Sequence, residues 1–145
     1  MRNFLFYLTL LLLPSLVYAS DPLAGSIWKT IDDKTNQPSA IVKFSEDKNG
    51  RLTATIQKIL IKSEEQKCIS CQGQYHNKSL IGLSIIRSLK KLKPNEYGEG
   101  KILDPQNGKT YSFNAKMSLD GKKLTGRGYI GVSMLGRDQT WHRIN

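Results

Sequence analysis

Lys109-Thr-Tyr-Ser-Phe-Asn-Ala-Lys-Met117, the dipeptide Asp120-Gly121 and Lys122-Lys-Leu-Thr-Gly-Arg-Gly-Tyr-Ile130 together decide the fold class. In the first stretch Tyr111, Phe113, Ala115 and Met117 alternate with Thr110, Ser112, Asn114 and Lys116. In the last, Leu124, Gly126, Gly128 and Ile130 alternate with Lys123, Thr125, Arg127 and Tyr129. A two-residue period is that of a strand with one buried face. Asp-Gly between two such runs signals a tight hairpin, in which both central residues need positive φ.

The same signals recur outward from this pair. Asn49-Gly50 and Asn107-Gly108 are further hairpin dipeptides. Leu52, Ala54 and Ile56 alternate with Arg51, Thr53 and Thr55, and Ala40, Val42 and Phe44 with Ile41, Lys43 and Ser45. With the less regular candidates, strands are expected at 26–31, 40–45, 51–61, 82–88, 99–103, 109–117, 122–130 and 138–144. Eight strands suit a small closed barrel. Short connections pair sequence neighbours antiparallel, and closure removes the exposed edges that invite aggregation. The expected fold is therefore all-β, an eight-stranded antiparallel up-and-down barrel. One stretch reads two ways. Ile81, Ile85, Leu89 and Leu92 fit a helix over 78–93 ending before Pro94, whereas Gly82, Ser84 and the β-branched content favour a strand.

Residues 1–19 read as an export address. Arg2 is a short positive region, Phe4 to Leu13 is apolar except for Thr9, and Val17-Tyr18-Ala19 is a small-x-small cleavage signal. The apolar run is shorter than the roughly 20 residues of a membrane span. The mature protein is expected to be one domain over 20–145, soluble and periplasmic or extracellular. No later stretch is apolar enough to span a bilayer, and no Cys near the cleavage point offers a lipid anchor. The 145 residues, 39% hydrophobic and 23% charged, exclude a multidomain enzyme, a long coiled coil and a polytopic membrane protein.

Export decides how Cys68 and Cys71 are read. In an oxidising compartment a C-x-x-C is expected to pair with itself. Two alternatives remain beside that disulfide. Cys68, Cys71 and His76 have a Cys-x-x-Cys-x4-His spacing that zinc accepts with a fourth ligand. A thioredoxin-like role needs an α/β setting that this chain lacks.

An ordered set of segments carries a resemblance over nearly the whole mature chain. It comprises Gly25-Ser-Ile-Trp28-Lys-Thr-Ile-Asp-Asp33, Cys68-Ile-Ser-Cys71-Gln-Gly73, Leu80-Ile-Gly-Leu83, Gly100 to Tyr111, Arg127-Gly-Tyr-Ile-Gly131 and Leu135 to Arg143. The sequence resembles a bacterial family of exported proteins of unknown function with a lipocalin-like (calycin) barrel. That resemblance implies an eight-stranded barrel with no established enzymatic activity. Lipocalins more broadly carry a Gly-x-Trp near the first strand and an Arg on the last, packed together to close one end. Trp28 and Arg143 correspond to that pair, with one more residue between glycine and tryptophan. An Arg over an indole contributes on the order of 1 kcal/mol in its own right.

The remaining chemistry points to binding more than catalysis. A barrel of this size holds one small ligand if side chains do not fill it. Gly126 and Gly128 either leave a dent in the interior wall or permit strand coiling. If Arg127 and Tyr129 face inward, they offer a cation and a phenol to an apolar molecule bearing a carboxylate, with Arg87, Tyr111 and Trp141 completing the site. A surface place for each arginine is the plainer alternative. The 22 Lys and Arg against 12 Asp and Glu give +10, with Lys90-Lys91-x-Lys93 and Lys122-Lys123 as clusters. Such a field attracts anionic envelope components. Nucleic acid is not an expected partner, because no aromatic-interleaved basic motif or helix-turn-helix pattern occurs. No nucleophile elbow, zinc-protease motif or phosphate loop occurs, so no catalytic residue, resident metal or cofactor is expected. Asp32-Asp33 and Glu64-Glu65 face opposite ways on a strand and form no dyad. Asp104-Pro105 reads as turn chemistry.

Overall fold

The alternation of 109–117 becomes a strand because its inner members are apolar and its outer members polar. Phe113, Ala115 and Met117 are buried, while Thr110 and Lys116 are exposed. The same rule governs most of the eight strands of a computed structural model that describes residues 13–16, 19–61, 66–132 and 136–145. They are β1 (Ile27–Ile31), β2 (Pro38–Glu46), β3 (Leu52–Ile59), β4 (Ser84–Lys93), β5 (Glu96–Leu103), β6 (Thr110–Met117), β7 (Lys123–Tyr129) and β8 (Arg137–Arg143). Each pairs antiparallel with its sequence neighbour, and β8 returns to β1 through Trp28 opposite Arg143, closing the barrel. The expected leader lies largely outside the described residues, as does Glu64-Glu65. Among the described residues no helix is long and apolar enough to cross a membrane.

Residues 84–93 are strand, the alternative that the β-branched content favours, and two expectations are corrected. The hairpin β4–β5 reaches further at its tip than the sequence suggests, by five residues at the end of β4 and three at the start of β5, while β4 begins two residues later. The expected limits fall on Ser88 (φ 57°) and Glu99 (φ 58°), left-handed residues where the β3–β4 and β5–β6 ladders, respectively, shift. An irregularity of this kind offsets the inward face by one position. Ile86 and Leu89 consequently both point inward although three residues apart, which imitates helical spacing. The second correction concerns the turns. Gly50, Gly108 and Gly121 have positive φ, but Asn49, Asn107 and Asp120 do not. In their place Asp47, Asp104 and Asp120 accept backbone N–H groups within each turn, as at Asn49 N to Asp47 (2.8 Å). These are longer turns with one left-handed glycine, in which an aspartate does the work assigned to a second positive φ.

One end of the barrel is sealed. Trp28 is fully buried there, with the Arg143 guanidinium 5.4 Å from its ring centroid. Arg143 also donates to the carbonyls of Pro22 (2.8 Å), Gly121 (3.3 Å) and Asn145 (2.7 Å). The extra residue of the Gly-x-x-Trp pattern, Ser26, is used: its Oγ accepts from Trp28 Nε1 (2.6 Å) and donates to the Leu23 carbonyl (2.5 Å). Leu23, ahead of β1, is fully buried beneath this cap.

Candidate ligand cavity

Side chains fill only half of the barrel. Toward the sealed end Trp28, Val42, Phe44, Leu52, Ile86, Leu89, Tyr97 and Leu124 form a solid core. Toward the other end the ring of inward residues encloses a cavity of about 610 Å³. Phe113 and Trp141 belong to both regions. Their rings stack with centroids 6.4 Å apart, and Phe44 tilts against Trp141 at 6.3 Å. This aromatic cluster divides core from cavity.

The cavity wall is mostly aliphatic, with Ala40, Ile56, Ile59, Leu80, Ile85, Ile102 and Leu103 among its members. Gly126 and Gly128 sit on the inner face of β7, for different reasons. A β-carbon on Gly126 would stand 2.6 Å from Phe113 Cε2, so this glycine makes room for the ring. A β-carbon on Gly128 would meet only Ile102 Cγ2 at 3.5 Å and Tyr111 Cβ at 3.8 Å, ordinary contacts. Gly128 is the one that leaves open space.

Polar groups gather at the mouth. Arg137, at the start of β8, pairs with Asp33 (2.8 Å) and Asp104 (3.6 Å). It thereby joins the β1–β2 loop to the β5–β6 turn across the opening. Gln106 Nε2 donates to Asp32 (3.4 Å) along the same route. The N–H and hydroxyl of Thr35 hold the Asp32 carboxyl below its ordinary pKa, overcoming slight desolvation, with help from Lys34 N–H and Gln106. Thr30 and Ser39 hydroxyls bond each other at 2.6 Å nearby. Thr30, Ser39, Asp32, Asp104, Gln106, Arg137 and Gln139 therefore make a polar rim above an apolar pocket.

The segment between β3 and β4 buttresses this rim. Cys68 and Cys71 are buried and stand at disulfide distance, bonded to each other. That bond takes both thiolates out of the Cys-Cys-His zinc set, and His76 Nδ1 instead lies 3.0 Å from the Cys71 carbonyl. Among the described residues no other group of three or more His, Cys, Asp or Glu could hold a metal ion. Gly108, in the β5–β6 turn, abuts the Ser70 carbonyl where no side chain would fit.

Of the residues singled out in the sequence, Tyr111 and Trp141 line the cavity from inner positions and Tyr129, the last residue of β7 and on the outer parity, meets its edge at the mouth, whereas Arg87 and Arg127 do not line it. The inner positions of β7 are Leu124, Gly126 and Gly128, which turns Arg127 outward onto Asp138, its register partner on β8, at 2.7 Å. Arg87 lies outside the barrel with its guanidinium 5.0 Å from the Tyr75 ring centroid and bonded to the Tyr75 hydroxyl, fastening the disulfide segment. Arg137 is the arginine of the mouth, and sequence reading missed it. The signal was parity: odd strands end, and even strands begin, at one end of an up-and-down barrel. Asp33, Asp104 and Arg137 all occupy such positions.

Comparison with known proteins agrees with this geometry. A solved structure, protein HP1028 from the human pathogen Helicobacter pylori, which belongs to the lipocalin family, superposes with a TM-score of 0.73. It is 26% identical, and the match covers 85% of this chain and 83% of that one. No curated protein matches the sequence. Residues 26–143 match the family described as "Uncharacterized protein conserved in bacteria (DUF2147)". This chain, with its lipocalin-like barrel, belongs to that bacterial family.

Proposed function

We propose that this chain is an exported, noncatalytic binding protein that holds one small apolar or amphiphilic molecule in the open half of its barrel. The observation carrying this reading is the 610 Å³ aliphatic and aromatic cavity with its charged groups confined to the rim. Its size falls within the roughly 300–1,000 Å³ of small-molecule sites. Apolar walls supply affinity through burial, and polar groups at one end orient the guest. Tyr111, Tyr129, Trp141 and Arg137 are the contacts we assign to it. Export rests on the 1–19 leader, cleaved after Ala19 to release one domain of residues 20–145, and is supported by the buried Cys68–Cys71 pair.

The test is native mass spectrometry on protein purified without denaturation, beside titration with an apolar fluorescent probe. A bound amphiphile, or saturable probe binding displaced by fatty amphiphiles, is expected. Gly128→Leu, which projects into the cavity, should weaken probe binding at least tenfold with little loss of stability. Absence of both a bound species and probe binding sinks the proposal. The mass of protein recovered from the cell envelope checks cleavage after Ala19.

A further inference from the structure

The two lysine runs are far apart in sequence, yet the barrel brings them side by side at the end opposite the mouth. The β4–β5 hairpin carries Lys90, Lys91 and Lys93, and the β6–β7 hairpin carries Lys116, Lys122 and Lys123. Because β5 pairs with β6, the two tips touch: Met117 N donates to the Asn95 carbonyl at 2.8 Å. Each tip also exposes a leucine. Leu119 is 97% exposed and Leu92 52%. Leu119, that bare on a turn flanked by cations, has no stabilising role in the fold, whereas Leu92 lies partly over Gly98 of β5 and leaves half its surface open.

Opposing charges are few here. Lys90 pairs with Glu99 (3.6 Å), Lys91 with Asp21 (3.3 Å) and Lys116 with Glu96 (3.7 Å). Asp120, the acid between the β6 and β7 lysines, is turned back onto the Ser118 hydroxyl and the Lys122 N–H. Among the described residues Lys93, Lys122 and Lys123 form no ion pair, so cations remain in excess around the two leucines.

We propose that this sealed end docks on an anionic phospholipid surface, with Leu119 and Leu92 entering the interface and Lys93, Lys122 and Lys123 meeting the phosphates. Lysines near such a surface and leucines buried at the headgroup boundary act together in peripheral binding. The leucines favour a bilayer over a soluble polyanion, which offers no apolar layer. In this orientation the mouth faces away from the lipid, so docking and cavity occupancy do not compete. The surface is independent of the ligand reading.

The test is sedimentation of the mature protein with phosphatidylglycerol-containing vesicles and with pure phosphatidylcholine vesicles. Binding to the first alone, weakening as salt rises, is expected. Lys122→Glu with Lys123→Glu should lower partitioning by roughly tenfold or more, and Leu119→Ser by about tenfold. Both sites are exposed, and an unchanged urea midpoint checks that the variants fold. Ile130→Ser, at the mouth, should leave binding intact. No binding to anionic vesicles overturns the proposal. So does binding that survives the sealed-end variants, or binding lost through Ile130→Ser, which would place the mouth on the membrane.

Discussion

Phe113 occupies the volume that a side chain at Gly126 would fill, across the β6–β7 ladder where Ala115 is the register partner of Gly126. The two residues act as one packing unit. Glycine in a strand lacks a side chain to pack, and here the ring of the neighbouring strand supplies it. Phe113 can then lie flat enough to stack on Trp141 and floor the cavity.

Gly126→Ala should therefore destabilise the barrel by about 1–3 kcal/mol, the usual cost of overpacking. Gly128→Ala, with only ordinary contacts waiting for its β-carbon, should be within about 1 kcal/mol of wild type. Urea unfolding of the two variants checks this. Equal costs would mean that both glycines serve strand coiling alone.

Much of the barrel is legible from alternation, because β2, β6 and β7 keep an uninterrupted inward face and β3 keeps one from Leu52 to Ile56. Alternation fails where the backbone does not keep register. Ser88 and Glu99 adopt left-handed φ inside strands, and neither residue type announces it. The cavity is legible in part. Trp141 and Tyr111 are aromatic residues on inward or rim positions, whereas the facing of Arg127 depends on which parity of β7 is inner. Leu124 marks that parity, but two glycines beside it carry little hydrophobic signal. Arg137 was hidden for a different reason: its partners Asp33 and Asp104 lie about a hundred and about thirty residues away, and only closure of the barrel joins them.

Arg143 offers a second prediction. Replacing it with Ala removes the contact over Trp28 and donors to three main-chain carbonyls, at a cost of about 2 kcal/mol. Arg143→Lys keeps the charge but not the planar fork, and should recover less than half of that loss. Denaturant midpoints and the near-ultraviolet dichroism of Trp28 report the two effects. A lysine variant equal to wild type would reduce Arg143 to a point charge.

The disulfide is expected to be local in its influence. Closing a loop between Cys68 and Cys71 contributes about 2 kcal/mol in the chain-entropy treatment. Cys68→Ala with Cys71→Ala should cost no more than that while leaving the far-ultraviolet spectrum unchanged. It should still loosen the mouth, because Ser70 abuts the β5–β6 turn at Gly108. Faster proteolysis between β3 and β4 is the expected readout. Native protein that takes up two alkyl groups without reductant would show the thiols free.

Tyr97 gives the barrel a pH dependence whose sign follows from its surroundings. Its ring is buried, and its hydroxyl donates to Asp21 Oδ1 at 2.9 Å, while Lys91 holds the other Asp21 oxygen at 3.3 Å. Burial, then the bond to Asp21 and its negative charge, push the phenol well above its ordinary value of 10.0. Above that value the unfolded chain releases this proton and the folded chain keeps it. Stability is thus complete below pH 10 and declines as pH rises beyond it. Tyr97→Phe should lose about 1–2 kcal/mol at neutral pH, from the missing donor to a carboxylate. The variant should also abolish this residue's share of the alkaline decline. The difference in urea midpoint between wild type and Tyr97→Phe should therefore narrow between about pH 9 and pH 11. A constant difference across that interval would mean that Tyr97 ionises as readily folded as unfolded, and that the buried bond to Asp21 does not hold its proton.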